Sequence, residues 1–237
     1  MNFDFIIKPL SWILIQIHAF TNDWGWAIII LTALIRFILF PSFIKQFQSM
    51  DKMKKIQPKL KEIQDKYKDK PEELNRRTME LYQKEKVNPF SSCLPMLIQI
   101  PIFMAFYALL TDPKLEVVKL MHSSPSNFLG FIPLTSKGGV VGIILAVISG
   151  ATTFLQTKMT SPSTASGNDQ MQNSFLYIMP IFFAYITYTV NAGIAVYWIT
   201  NNMVGIIQQY IVNEFFIPKE SPQASPASED PSQTPKK

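Results

Sequence analysis

The chain has 237 residues, of which 48% are hydrophobic and only 16% charged, with a formal net charge of +5. Soluble domains carry roughly a quarter charged residues and scatter their apolar ones, so this composition excludes a simple water-soluble globule. The single cysteine, Cys93, excludes an internal disulfide framework. With no Cys/His cluster, Gly-rich phosphate loop, GxSxG or HExxH, the sequence offers no catalytic residue, no metal site and no cofactor site.

Residues 1–23 lack the basic cluster and the A-x-A-like site of a signal peptide. Pro9 divides their apolar run and leaves 10–20 too short to span. An external interfacial amphipathic helix is expected here, with Trp12 and Phe20 at headgroup depth.

Residues 24–44 form the first apolar run long enough to cross a bilayer, whose core needs about 20 helical residues. Arg36 lies inside it. A guanidinium at such depth costs at least about 2.5–3.5 kcal/mol on insertion scales, and it cannot escape by losing its proton. Eight residues lie between Arg36 and Lys45, about 12 Å of helix rise and a long reach for snorkelling. No carboxylate occurs in a later apolar run where it would meet Arg36 in the membrane. Arg36 is therefore expected to face water held inside the protein.

Residues 45–86 carry thirteen Lys or Arg against eight Asp or Glu. Met53, Ile56, Leu60, Ile63 and Tyr67 recur at helical spacing on one face. The break KDKPEEL places Pro71 in the first turn of a second helix, whose face carries Leu74, Thr78, Leu81 and Tyr82. The two stripes predict an antiparallel helical hairpin over 45–90, with a kink at Pro58. Its outward lysines, Lys52, Lys55, Lys59, Lys66 and Lys68 among them, suit a partner surface such as anionic lipid or ribosomal RNA. They suit equally a solvated face that only sets topology.

Four further spans are expected, over 91–111, 138–157, 174–190 and 192–214, the last two forming a tight hairpin. Residues 112–137 are an external loop, 158–173 a cytoplasmic loop, and 218–237 a disordered cytoplasmic tail without large apolar residues. With the N-terminus outside, the inner face receives seventeen Lys or Arg and the outer face four. The positive-inside rule selects that orientation. Ser149, Thr152, Thr153 and Gln156 share one helix face on the third span, as do Trp198, Asn202, Gly205 and Gln209 on the fifth. Asn201 and Gln208 flank that face, Gln99 comes from the second span, and Thr32 lies one turn from Arg36. Interhelical hydrogen bonds, at about 0.6 kcal/mol each, account for several of these residues. They do not account for an unpaired arginine, so the stripe is read as the lining of a hydrated groove nearer the cytoplasm.

The stretches NPFSSCLPMLIQIPIFMAFYALL (88–110), FLQTKMTSP (154–162) and MPIFFAYITYTVNAGIAVYWITNNMVGIIQQ (179–209) resemble the YidC/Oxa/Alb family of membrane-protein insertases. The order of parts is similar too, up to about Phe216. The chain looks like the short bacterial form without the large periplasmic domain, although that form usually begins with an acylated cysteine, absent near residue 1. The resemblance implies that Arg36 is the groove arginine, Gln156 a polar groove position, and Tyr197 and Trp198 an aromatic pair facing groove or substrate.

The expectation is thus an all-α polytopic membrane protein with five transmembrane helices, multi-pass in the bacterial plasma membrane. It would act without cofactor as a membrane-protein insertase and chaperone. Arg36, Thr32, Gln99, Thr152, Gln156, Tyr197, Trp198 and Asn202 would contact substrate. Its partners would be nascent membrane proteins and the lipid bilayer, with the ribosome, the signal recognition particle system and the Sec translocon as further candidates and no small-molecule substrate. A small transporter or anion channel built around Arg36 is the alternative; the absence of inverted repeats and paired broken helices counts against it.

Overall fold

The computed structural model describes residues 4–88, 94–123, 126–160 and 169–217. The expected tail 218–237, the middle of the loop 158–173 and Cys93 lie outside the described residues. The described chain is all-helical apart from one two-residue-strand hairpin. In chain order the elements are α1 (Asp4–Thr21), α2 (Trp24–Ile38), α3 (Phe40–Lys66), α4 (Pro71–Lys84), α5 (Leu94–Thr111), α6 (Glu116–Ser123), β1 (Asn127–Phe128), β2 (Ile132–Pro133), α7 (Gly139–Thr160), α8 (Asp169–Thr189) and α9 (Ala192–Phe215).

Three expectations are corrected. Pro9 does not divide the first region, because α1 runs through it. The carbonyl that loses its N–H partner belongs to Phe5, which is exposed in the first turn, so an outside partner can reach it. The run 24–44 is not one straight helix: α2 and α3 meet at 63° around Leu39. Pro41 lies in the first turn of α3 and has no N–H to continue the α2 ladder, which ends the first helix there. The stretch 112–137 is not merely a loop, since it holds α6 and the β-hairpin. Pro58, by contrast, interrupts nothing; α3 is continuous across it.

Five elements run alternately between two ends of the bundle. At one end Gly25 of α2 sits against the Phe128 ring, so closely that a Cβ there would collide with it. The amides of Ala192 and Gly193, opening α9, donate to the carbonyls of Ser136 and Leu134 at 2.9 and 2.8 Å. Asn191 caps α9 through Ile194 N at 3.1 Å and donates its amide to Leu110 O, at the end of α5, at 2.8 Å. At the other end the Gln208 amide donates to Arg36 O at 2.9 Å, and Gln209 donates to Met159 O at 2.8 Å. Thus α2, α7 and α9 run one way and α5 and α8 the other. The first end is closed by an apolar core of Leu14, Trp24, Val117, Met121, Phe128 and Leu134, all buried.

The sides of the bundle reverse the usual polarity. On α7, Val140, Ile143, Ile144, Val147, Ile148 and Leu155 point outward and exposed, while Gly142, Leu145, Ala146, Ser149 and Thr153 face inward. Exposed Ile178, Ile181, Phe182 and Tyr185 do the same on α8. Such continuous apolar surface is stable against lipid and not against water. Among the described residues, α7 alone is long and apolar enough to cross a membrane by itself; α2 and α3 qualify only as a bent pair. The apolar parts of α5 and α8, Ile98–Thr111 and Leu176–Thr189, are shorter.

The basic stretch 45–86 lies on α3 and α4. α3 and α4 pack together with Ile56 and Leu81 buried, and Lys59 Nζ meets Glu85 Oε1 at 2.7 Å across the pair, which makes it antiparallel. The hairpin is also tied to the bundle beyond its covalent ends. Phe43 and Phe47 pack on Val212, Lys54 Nζ donates to Met159 O at 3.0 Å, and the Gln48 amide donates to Phe216 O at 3.2 Å. Burial lowers the pKa of Lys54, with Asp51 acting the other way.

Replacing Ile56 with Asp is expected to unpair the two helices, since a buried carboxylate without a partner costs several kcal/mol (order of magnitude). Hydrogen exchange should accelerate through α4 while α7 keeps its protection. Unchanged exchange in α4 would mean that the stripe does not hold the pair. Acid should loosen the same hairpin. The hydrogen bond from Lys59 holds the Glu85 carboxyl below its usual range, as Arg76 does for Glu73. Carboxylates depressed on folding stabilise fully above their unfolded range and lose that contribution as pH falls through the depressed value. Protection of the α4 amides, with exchange corrected for its intrinsic pH dependence, should therefore be flat near neutrality and fall on acidification, less steeply in Glu85→Gln.

Candidate functional site

The site begins in the last turn of α2. Arg36 is 6% exposed, and among the described residues no carboxylate pairs with it. Its Nε donates to Asn201 Oδ1 at 2.8 Å, and its guanidinium lies over the Phe43 ring, 4.9 Å from the centroid. The bend at Leu39 makes the second contact possible, because it folds the first turns of α3 back towards the end of α2. The remaining guanidinium nitrogens face Gly205 on α9. They lie 3.3 and 3.4 Å from where a Cβ would stand, and the Gln156 amide is 2.7 Å from the same point. A Cβ there would displace the Gln156 amide and press on the guanidinium.

Thr32, Arg36, Gln99, Tyr197 and Asn201 share one cleft with Ile35, Leu39, Phe43, Ile102 and Phe106. Gln99 donates to the Tyr197 hydroxyl at 2.8 Å, bridging α5 and α9. Thr32 turns its hydroxyl to its own helix, on Ile28 O at 2.7 Å. The cleft measures about 230 Å³, but the part open to the centre of a water molecule is only about 10 Å³, room for on the order of one water. Tyr197 stacked on Phe106 at 4.1 Å and Phe43 under the guanidinium fill the rest.

The other expected residues form a second polar cluster between α7 and α9. Trp198 Nε1 donates to Thr153 Oγ1 at 3.1 Å; the Asn202 amide donates to Thr153 Oγ1 at 2.8 Å and to Thr152 Oγ1 at 3.2 Å. Ser149 and Thr187 share a bond of 2.8 Å between α7 and α8. Trp198 also stacks on Phe183 at 4.1 Å. Interhelical packing accounts for these bonds, so of the predicted stripe the Gln156 amide is what connects this cluster to Arg36. Phe43 escaped the sequence reading, and Asn201 was placed at the edge of the face rather than on the arginine. Phe43 stands seven residues after Arg36, a helical repeat that a proline between them obscures.

On the hairpin, Lys55 pairs with Asp51 at 3.3 Å, Lys59 with Glu85, and Lys66 lies 5.8 Å from the Tyr67 ring centroid. Lys52 and Lys68 are exposed. The basic surface open to a partner is thus smaller than its count of lysines. Among the described residues no group of three or more His, Cys, Asp or Glu comes together to hold a metal.

Thr153 accepts from both Trp198 and Asn202, so Thr153→Val should leave Trp198 short of a partner and Asn202 with only its longer bond to Thr152. A loss of about 1–2 kcal/mol is expected, read as a lowered thermal midpoint in detergent. Thr187→Val should cost less, because the Ser149 hydroxyl can turn to a carbonyl of its own helix. Equal shifts for the two variants would contradict this account of the cluster.

Comparison with known proteins gives the chain its context. Two curated bacterial proteins, each named membrane protein insertase YidC, match most of the chain. The one from Campylobacter jejuni is 36% identical over 225 residues, covering 95% of this chain and 40% of that protein. The one from Syntrophobacter fumaroxidans is 40% identical over 222 residues, covering 89% and 38%. The chain therefore spans well under half the length of these relatives. A solved structure described as an active YidC insertase with its first transmembrane domain resolved superposes with a TM-score of 0.68 at 27% identity, over 92% of this chain and 47% of that one. The sequence profile described as 60Kd inner membrane protein matches residues 16–220. With that match over most of its length and those relatives on both sequence and fold, the chain belongs to the 60Kd inner membrane protein family, the group of the YidC insertases.

Proposed function

We propose that this chain is a membrane-protein insertase of the bacterial plasma membrane, working by physical means without covalent chemistry. The observation that carries the reading is Arg36: a buried guanidinium, held by the neutral Asn201 and the Phe43 ring, at a cleft in a bundle whose sides are apolar. A permanent cation at membrane depth without a carboxylate is costly and serves to attract what passes. A nascent protein's short polar tail enters the cleft from the hairpin end, where Arg36 offers a Coulombic partner in a low-dielectric setting. The following hydrophobic segment leaves sideways, because burial in hydrocarbon favours its release. The membrane potential assists acidic tails moving outward by about 2.3 kcal/mol per charge per 100 mV.

In this reading α2 with the start of α3, α5, α7, α8 and α9 are the five spans. Their alternating direction supports that count, with the N-terminus outside and the C-terminus in the cytoplasm. The apolar core at the α1, α6 and β-hairpin end supports an exit closed to the outside. Trp12 and Phe20, 65% and 89% exposed on α1, suit headgroup depth there. Admitting a polypeptide requires the cleft to widen, and the Gln99–Tyr197 bond is the polar contact that crosses it. Nascent membrane proteins are the substrates; the hairpin around Lys52 and Lys68 is the surface for the ribosome, the signal recognition particle system or the Sec translocon.

Insertion of a single-span substrate by the full chain in liposomes tests the reading. Arg36→Ala should lose insertion of substrates with acidic N-tails, whereas Arg36→Lys should retain much of it. Normal insertion of such substrates by Arg36→Ala would remove the electrostatic part of the mechanism.

One-sided hydration has its own test, in a Cys93→Ser background. A cysteine at Gln156 should react with a membrane-impermeant thiol reagent from the cytoplasmic side, and one at Ile144, on the apolar face of α7, should not. Equal protection of both positions would leave only helix packing for the polar face.

A further inference from the structure

We infer that Asn201 is the positioning residue that keeps the Arg36 charge available, and so sets the preference of the cleft for acidic substrate segments. This rests on the insertase reading and adds the control of its selectivity. Asn201 is 5% exposed on α9 and places Oδ1 2.8 Å from Arg36 Nε. Guanidinium has five N–H donors, and the Asn201 oxygen takes the one on Nε. That bond turns the two terminal nitrogens towards Gly205, beside the Gln156 amide. The backbone of the same arginine is held by Gln208, whose amide donates to Arg36 O at 2.9 Å. Two residues of α9 thus fix both the side chain and the main chain of Arg36.

What matters about Asn201 is that its acceptor is uncharged. A carboxylate of nearly the same shape at this distance forms an ion pair with the guanidinium, the strongest partner it has. The cation would then be compensated from within the protein, and an incoming carboxylate would meet a neutral pair. An apolar residue would leave the charge but release the fork from its orientation. Among common side chains, an amide or a hydroxyl is what both orients the guanidinium and leaves its field intact, and of the two the amide is found here.

The test uses the full chain in liposomes of one fixed composition and two single-span substrates, identical except that one N-tail carries Asp where the other carries Asn. The readout is the ratio of acidic-tail to neutral-tail insertion. The unaltered protein should favour the acidic tail. Asn201→Asp should lose that preference, its ratio of acidic-tail to neutral-tail insertion falling to that of Arg36→Ala, a change of ratio that a purely structural defect would not produce. Asn201→Asp with its preference intact would overturn the inference. Loss of all insertion by Asn201→Asp would shift the reading to the exchange Arg36→Asn with Asn201→Arg, which moves the cation across the same hydrogen bond. The exchanged protein should favour acidic tails, and absence of that preference would overturn the inference. Arg36→Ala run alongside separates the two levels. A preference that survives Arg36→Ala sinks the electrostatic reading itself, whereas one lost in Arg36→Ala but kept in Asn201→Asp sinks only the role of Asn201.

Discussion

A guanidinium that cannot lose its charge has to be held inside an apolar bundle, and much of the described architecture answers that constraint. α9 supplies Asn201 to its Nε, Gln208 to its backbone carbonyl and, at Gly205, a gap for its terminal nitrogens. α3 supplies the Phe43 ring, which reaches the guanidinium because the chain turns through 63° after Leu39. None of these partners is anionic. The protein therefore stabilises the cation by hydrogen bonding and ring quadrupole while leaving its net charge in place. A carboxylate would hold the arginine more firmly and cancel that net charge.

The polar residues divide into two kinds by what they bond. Thr153, Trp198 and Asn202, like Ser149 and Thr187, bond one another across helix interfaces and lock α7 to its neighbours. Gln99, Tyr197 and Asn201 border the cleft with the arginine. The locked group gives α9 a fixed seat on α7, and the cleft lies on the other side, between α9, α2 and α5. One wall is therefore braced by hydrogen bonds, while across the cleft α5 meets α9 through the Gln99–Tyr197 bond and stacked rings, with Asn191 holding Leu110 O at the closed end. An opening of the cleft would begin at that weaker wall.

Element existence was legible in the sequence because apolar periodicity reports burial directly. The stripe of Met53, Ile56, Leu60 and Ile63 and the break at Pro71 describe the hairpin as it folds, and Arg36 was conspicuous by charge alone. What stayed hidden depends on long-range approach. Pro9 looked like a breaker because its lost hydrogen bond was counted without noting that the affected carbonyl sits in an exposed first turn. The docking of Lys54 on Met159 O and the pairing of Asn201 with Arg36 join residues more than a hundred positions apart, and no spacing rule carries that information. What covers the polar face stayed hidden for a related reason. Polar residues on one face say that water or protein must cover them, and here much of the cover is the protein's own.

The bend at Leu39 also fixes how this side of the molecule fits its lipid. α2 has 15 residues, a rise of about 22 Å, whereas a bilayer's hydrocarbon core is about 30 Å thick. The apolar residues that follow, from Phe40 to Ile44, continue at a steep angle and add little height along the α2 axis. With α2 as a span, as proposed above, the arginine's helix is too short for the hydrocarbon it borders. Lipid accommodates a short helix by thinning around it, at fractions of a kcal/mol per Å of mismatch. Beside Arg36 the hydrocarbon barrier would be lower than elsewhere in the membrane, a mismatch set by a single proline one turn past the cation.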